Sequence, residues 1–314
     1  MTLTLAQTAV GLALLYFGGE ALVRGASALA TRLGVSSLAI GLTVVAFGTS
    51  APELVVSLDA ALSGGNDISI GNVVGSNIAN IALILGIASL IRPALVEAKV
   101  VRIDAPIMIL ASLALIAVLA NGTMSRLEGA LLLSSFVAYT VFTFWEARRE
   151  PPAIREEFAS AAPGAPAKVS LATFFVVAGL ALLVAGGHML VSAAVALATA
   201  LGISEAVIGL TIVAVGTSLP EFATSVIAAL RGQGDIAVGN VVGSNIFNVL
   251  GILGVTAAVC PLNMGGITWL DLGAMVVLAC ALSLMLVVSR SLGRTEGVLL
   301  LVSFTGYTGW LLAA

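Results

Sequence analysis

Long apolar stretches, each closed by a short polar or Gly/Pro-rich break, run the length of this chain. At the 1.5 Å rise of a helix, about 20 apolar residues cross the hydrocarbon layer of a bilayer. Ten such runs separate, at 5–31, 37–62, 69–91, 103–120, 126–146, 169–199, 205–230, 237–260, 270–289 and 294–313. The one long connection, 147–168, carries Arg148, Arg149, Glu150, Pro151, Pro152, Pro163 and Pro166, a linker composition rather than that of a folded domain. The pattern predicts an all-α integral membrane protein of ten transmembrane helices.

The polar positions inside these runs recur at a constant offset of 168. Residues 41–57, GLTVVAFGTSAPELVVS, match residues 209–225, GLTIVAVGTSLPEFATS, at eleven of 17 positions. Residues 71–86, GNVVGSNIANIALILG, match 239–254, GNVVGSNIFNVLGILG, at twelve of 16. Gly18-Gly19 maps to Gly186-Gly187, and Arg126-x-Glu128-Gly129 to Arg294-x-Glu296-Gly297. Matched Pro, Glu, Asn and Ser at one offset mark a duplication. The chain divides into a five-helix repeat at 1–146 with its motif block at 41–86, the linker 147–168, and a five-helix repeat at 169–314 with its block at 209–254. An odd number of spans per repeat makes the second cross the membrane in the opposite sense, a transporter architecture with its site between the repeats near midplane.

Charge orients this arrangement. With the N-terminus outside, the cytoplasmic connections hold Arg32, Arg92, Lys99, Arg102, Arg148, Arg149, Arg155, Lys168, Arg231, Arg290 and Arg294, which is 11 of the 13 basic residues. Both termini are then outside and 147–168 is cytoplasmic, in the inner (plasma) membrane of the cell. Composition agrees: 60% of residues are hydrophobic, 9% charged, and mean hydropathy is +1.15. The net charge of −3 offers nothing to a nucleic acid, and no obligatory protein partner is evident. Met1 to Ala13 has no basic segment ahead of its apolar run, so that run is expected to stay as a helix. Cys260 and Cys280 lie in apolar surroundings and are expected to be buried, small side chains.

Two acids lie deepest in any span. Glu53 ends Gly48-Thr49-Ser50-Ala51-Pro52-Glu53, and Glu221 ends Gly216-Thr217-Ser218-Leu219-Pro220-Glu221. Mid-span proline has no N–H and clashes with the carbonyl four residues back, so Pro52 and Pro220 free the carbonyls of Gly48 and Gly216. Such backbone survives at membrane depth only where protein buries it or it lines a cavity. Thr49 and Glu53 stand at i, i+4 and are expected to share a helix face, as are Thr217 and Glu221. A carboxylate at the bilayer centre costs about 2.5–3.5 kcal/mol on insertion scales. Two together repel unless a proton or a cation intervenes.

The second block adds Asn72, Ser76 and Asn80 on one helix face, repeated as Asn240, Ser244 and Asn248. Ser76, Asn80, Ser244 and Asn248 read as ligands. Asn72, Asn77, Asn240 and Asn245 serve equally well as interhelical glue. The set offers carboxylate, hydroxyl, amide and carbonyl oxygens without Cys or His, so it suits hard cations. Two carboxylates neutralise one divalent or two monovalent ions, and competition for those charges is a basis for exchange. Glu20 and His188 occupy equivalent positions and read as structural groups, Glu20 pairing with Arg24 one turn on. Asp67 and Asp235 stand at equivalent helix starts, and Trp145, Trp269 and Trp310 near span ends. The chain has no Walker motif, nucleophile elbow or zinc spacing, so neither an enzyme nor a resident cofactor is expected.

The two blocks resemble the α-repeats of the cation/calcium antiporter superfamily, most closely its prokaryotic sodium/calcium exchanger branch. The motifs that carry the resemblance are Ala46–Glu53 with Gly71–Asn80, and Ala214–Glu221 with Gly239–Asn248. The resemblance implies that Glu53 and Glu221 bind Ca²⁺ and Na⁺ in alternation. It adds oxygens from Thr49, Ser50, Thr217 and Ser218, carbonyls of Ala46 and Ala214, and sodium ligands Ser76, Asn80, Ser244 and Asn248. It also implies that spans 1 and 6 slide across the core to switch access. Some relatives carry Asp where this chain has Asn248, which leaves the number of sodium ions open. The residues themselves leave Ca²⁺/H⁺ exchange, a passive cation channel and, more remotely, an intramembrane protease to be separated by experiment.

Overall fold

The computed structural model describes residues 2–33, 35–147, 168–200 and 214–313. Most of the expected linker and the first part of the expected run 205–230 lie outside the described residues. The chain is helical: α1 (Thr2–Leu33), α2 (Leu38–Thr49), α3 (Ala51–Leu62), α4 (Ile68–Ile91), α5 (Val100–Asn121), α6 (Arg126–Ala147), α7 (Val169–Ala200), α8 (Ala214–Thr217), α9 (Leu219–Leu230), α10 (Gly234–Val259), α11 (Trp269–Ser289) and α12 (Arg294–Ala313). Among the described residues, seven helices are long and apolar enough to cross a membrane, and α2 with α3, bent by 44°, makes an eighth. α9 has 12 residues and α12 has 20, opening on Arg294 and Glu296.

Burial sorts the helices. In the most apolar stretch of α4 and α10, 72% and 89% of residues are buried, against 22% and 28% in α6 and α7. The helices bearing the polar stripes are therefore central. Leu110, Val141, Val277 and Leu284 point outwards, as they must where the surroundings are acyl chains. Cys280 is on this outer surface and Cys260 is half-buried, which corrects the expectation that both are buried. In a membrane, an apolar neighbourhood does not imply the interior.

α1 and α7 are 32 residues each, longer than the bilayer is thick, and they cross on glycine. A Cβ on Gly18 would lie 2.9 Å from the Leu183 nitrogen, on Gly25 2.7 Å from that of Val176, and on Gly179 2.6 Å from that of Leu22. Backbones this close need small residues. Two short antiparallel ribbons tie the repeats together. Ala94 and Leu95 (β1) pair with Leu292 and Ser291 (β4), while Thr123 and Met124 (β2) pair with Asn263 and Leu262 (β3).

Each repeat also has one tyrosine–aspartate tether between its last two helices. Tyr139 donates to Asp104 Oδ1 at 3.0 Å, and Tyr307 to Asp271 Oδ1 at 2.7 Å. Asp271 also accepts from the Thr268 amide and hydroxyl in a capping box, at 2.9 and 2.7 Å. Asp104 is wholly buried, and its other oxygen has only Lys99, at 3.8 Å. Tyr139→Phe therefore strands a buried carboxyl oxygen, at about 1–3 kcal/mol. Thermal unfolding in detergent is expected to show a clearly larger fall in Tm for Tyr139→Phe than for Tyr307→Phe; equal shifts would contradict this.

Candidate functional site

Both prolines interrupt their helices two residues ahead of themselves, at Ser50 and Ser218, which is two residues after the freed carbonyls of Gly48 and Gly216. Ser50 leaves helical geometry at φ −84°, ψ 9°, and Ser218 at φ −83°, ψ 8°. Each starts a new helix with Pro in its first turn, where the missing N–H is harmless. Glu53 and Glu221 thereby fall in the first turn of α3 and α9, where the helix dipole favours negative charge. The 44° bend at Ser50 lies between Thr49 and Glu53, so their i, i+4 spacing does not by itself give them a common helix face. Thr49 Oγ1 lies 3.0 Å from the Val45 carbonyl and 3.1 Å from Asn240 Oδ1.

The repeats exchange ligands. Ser50 Oγ donates to Glu221 Oε1 at 2.5 Å, and Ser218 Oγ donates to Glu53 Oε1 at 3.0 Å. Ser244 Oγ lies 3.0 Å from Ser50 Oγ, and Ser76 Oγ 3.1 Å from Ser218 Oγ. Thr217 Oγ1 is 3.3 Å from Asn72 Oδ1, matching Thr49 with Asn240. Glu53, Glu221, Thr49, Ser50, Ser76, Ser244, Asn80 and Asn248 are all at most 3% exposed, and Ser218 and Thr217 are also buried. Ala46 is buried and its carbonyl accepts from Ser50 N at 3.1 Å. Ala214 opens α8, but its side chain is outside the described residues.

The other asparagines pack the site. Asn72 Nδ2 donates to the Glu53 carbonyl at 3.2 Å and to Ser57 Oγ at 3.0 Å. Asn240 Nδ2 does the same to the Glu221 carbonyl at 3.4 Å and Ser225 Oγ at 3.0 Å. Ser57 and Ser225 were not singled out from sequence, although they also stand 168 apart. Asn77 and Asn245 each donate to the other's carbonyl at 3.3 Å. Their side-chain oxygens accept from Asn248 Nδ2 at 2.9 Å and Asn80 Nδ2 at 3.1 Å. That orients Asn80 Oδ1 and Asn248 Oδ1 away from their amide partners. Each of these asparagines stands at a π-helical turn, Asn80–Ile84 and Phe247–Ile252, an irregularity frequent at functional sites.

Among the candidate ligands, four buried acceptor oxygens are left without a hydrogen-bond partner: Glu53 Oε2, Glu221 Oε2, Asn80 Oδ1 and Asn248 Oδ1. Buried polar atoms are nearly always paired. Four lone acceptors on four central helices, two of them carboxylate, suit a hard cation. Among the described residues, no cluster of three or more His, Cys, Asp or Glu forms a rival centre.

A family model described as sodium/calcium exchanger protein matches residues 3–145 and again 171–313. The chain belongs to the sodium/calcium exchanger family. It is 41% identical over 307 residues to the putative antiporter CaxA of Alkalimonas amylolytica, covering 95% of each chain. It is 34% identical to the sodium/calcium exchanger MaX1 of Methanosarcina acetivorans, again covering 95% of each. A solved structure of the sodium-calcium exchanger NCX_Mj superposes with a TM-score of 0.84 at 32% identity, covering 98% of both chains. This exchanger-family chain is thus a multi-pass membrane protein of the cation/calcium antiporter superfamily. The two matched stretches of the family model start and end 168 residues apart, the offset of the internal repeat.

Outside the site, the exchanger's Glu20 takes two arginines. Arg24 pairs with it at 2.7 Å as expected; Arg231, beyond α9, pairs with it as well. His188 is exposed on α7 and borders an apolar groove of about 1190 Å³, together with Leu180, Val184, Phe47 and Gly48.

Proposed function

We propose that this chain exchanges Ca²⁺ for Na⁺ across the inner membrane by alternating access, at one site held by Glu53 and Glu221. The carrying observation is the set of four unpartnered buried oxygens, two from each repeat, where Ser50 and Ser218 join each repeat to the other's glutamate. Ser50, Ser218, Thr49, Thr217, Ser76 and Ser244, with the carbonyls of Ala46 and Ala214, complete the oxygen sets for the smaller charge. The named relatives are exchangers and antiporters, and the site's chemistry is binding rather than bond-making, so the chain is read as a transporter and not an enzyme.

Charge obliges the exchange. With both glutamates ionised the empty site carries two negative charges, and moving them uncompensated through a low-dielectric core is costly. One Ca²⁺ or two Na⁺ cancels them. Switching is then confined to loaded forms, so one ion leaves only when the other returns. Asn80 and Asn248 are neutral, so any further Na⁺ would add net charge to the switching form.

We count ten spans in two inverted repeats, with α2–α3 as the second, the segment ending in α9 as the seventh and α12 as the tenth. Both ribbons agree with this count. β1 and β4 lie in connections it puts on the cytoplasmic side, and β2 and β3 in connections it puts outside. Both termini are then outside.

Proteoliposomes loaded with Na⁺ and diluted into Na⁺-free medium are expected to accumulate ⁴⁵Ca²⁺, and dissipating the Na⁺ gradient is expected to stop it. Uptake driven equally by a pH gradient alone would favour proton exchange on the same carboxylates. Uptake that needs no counter-ion would favour a channel.

A further inference from the structure

α1 and α7 are equivalent helices, yet they meet the core differently. Gly19 of α1 packs on α9, where an added Cβ would lie 3.0 Å from Ile227 Cγ1 and 3.4 Å from the Ala223 carbonyl. Its counterpart Gly187 on α7 does not rest on Asp59, the counterpart of Ile227. The atoms nearest a Cβ there are Pro220 Cδ at 3.8 Å and the Gly216 carbonyl at 3.9 Å. Both motif glycines face α7: Gly48 meets Leu180, and Gly216 meets Val191. The helix pair therefore stands at one extreme of an arrangement whose other extreme the duplicated sequence also encodes.

One ion pair spans α1 and the core at this extreme. Arg231 Nε donates to Glu20 Oε2 at 2.9 Å and its Nη2 donates to Oε1, a bidentate clasp on a side chain only 15% exposed. Arg24 Nε holds the same carboxylate at 2.7 Å from within α1, and Arg92 packs over Gly232, the next residue after Arg231. When the repeats exchange roles, the residues that replace this contact are His188, for Glu20, and Ser63, for Arg231. These cannot form a carboxylate–guanidinium fork. The clasp thus belongs to one access state and has no equal in the other.

We infer that Glu20 and Arg231 are positioning residues that hold α1 over α9 and keep the site closed towards the cytoplasm. The side follows from Arg231, one of the basic residues that the charge distribution places inside. The inference rests on the alternating-access reading above. A link present in one state shifts the balance between the two by its own strength. For a partly exposed ion pair that is about two- to fivefold.

The test reads conformation without needing transport. In a Cys260→Ser, Cys280→Ser background, Ile227→Cys is buried under Gly19 in the clasped state. Its modification by a membrane-impermeant maleimide is followed in inside-out vesicles. Glu20→Gln and Arg231→Gln are each expected to raise that rate about two- to fivefold. Arg231→Gln leaves the Glu20–Arg24 pair in α1 intact and so covers the case in which Glu20→Gln disturbs folding. The exchange of charges, Glu20→Arg with Arg231→Glu, is expected to return the rate towards the parent value. Unchanged rates in both single variants, or a raised rate that the charge exchange does not lower, would overturn the inference. A chain unable to carry Ca²⁺ would instead sink the exchange reading and leave this measurement interpretable.

Discussion

Glu53→Gln and Glu221→Gln are each expected to lower Ca²⁺ transport by at least a hundredfold while the protein still folds. The substitution keeps the shape of the side chain and removes one of two charges from a site that is almost fully buried. Breaking a buried charge pair costs about 3–5 kcal/mol, which is roughly 10²- to 4 × 10³-fold in affinity. Without cations the sign on stability is reversed: a single substitution relieves repulsion between two buried carboxylates, so the ion-free Tm is expected not to fall. The rise in Tm that Ca²⁺ produces by binding only the folded protein should vanish. Transport near the wild-type rate in either variant would show that the site lies elsewhere.

The second large effect belongs to the exchanged serines. Ser50→Ala removes the hydroxyl that donates to Glu221 at 2.5 Å, and Ser218→Ala the one that donates to Glu53 at 3.0 Å. A hydrogen bond to a charged group contributes about 1.5–3 kcal/mol, so the apparent KM for Ca²⁺ is expected to rise roughly tenfold or more. The coupling should cross between repeats. Ser50→Ala combined with Glu221→Asp is expected to be strongly non-additive, and combined with Glu53→Asp nearly additive. The opposite pattern would mean that each serine serves the glutamate of its own repeat.

Much of this site is legible without coordinates because it is written twice. The offset of 168 pairs Glu53 with Glu221, Ser76 with Ser244 and Asn80 with Asn248, and the structure brings all six to buried positions on central helices. Helical periodicity fails at Ser50 and Ser218. A spacing of i, i+4 means a shared face only in an unbroken helix, and both helices restart there. The crossing of each serine to the opposite glutamate is a tertiary fact, invisible to spacing within one repeat. The π turns at Asn80 and Phe247 leave no local mark in an apolar run. Glu20 was legible only as the i, i+4 partner of Arg24; Arg231 is 211 positions away and joins it through the packing of α1 on α9. Cys280 shows the converse error, since hydropathy in a spanning helix separates membrane from water but not core from lipid.

The central claim is that Ca²⁺ and Na⁺ compete for one site made by both glutamates. Isothermal titration of the purified protein in detergent tests it most directly. The expected result is one Ca²⁺ per chain, displaced by rising Na⁺, with Ca²⁺ binding lost in both Glu53→Gln and Glu221→Gln. Ca²⁺ binding that survives either substitution, or that Na⁺ does not displace, would contradict it.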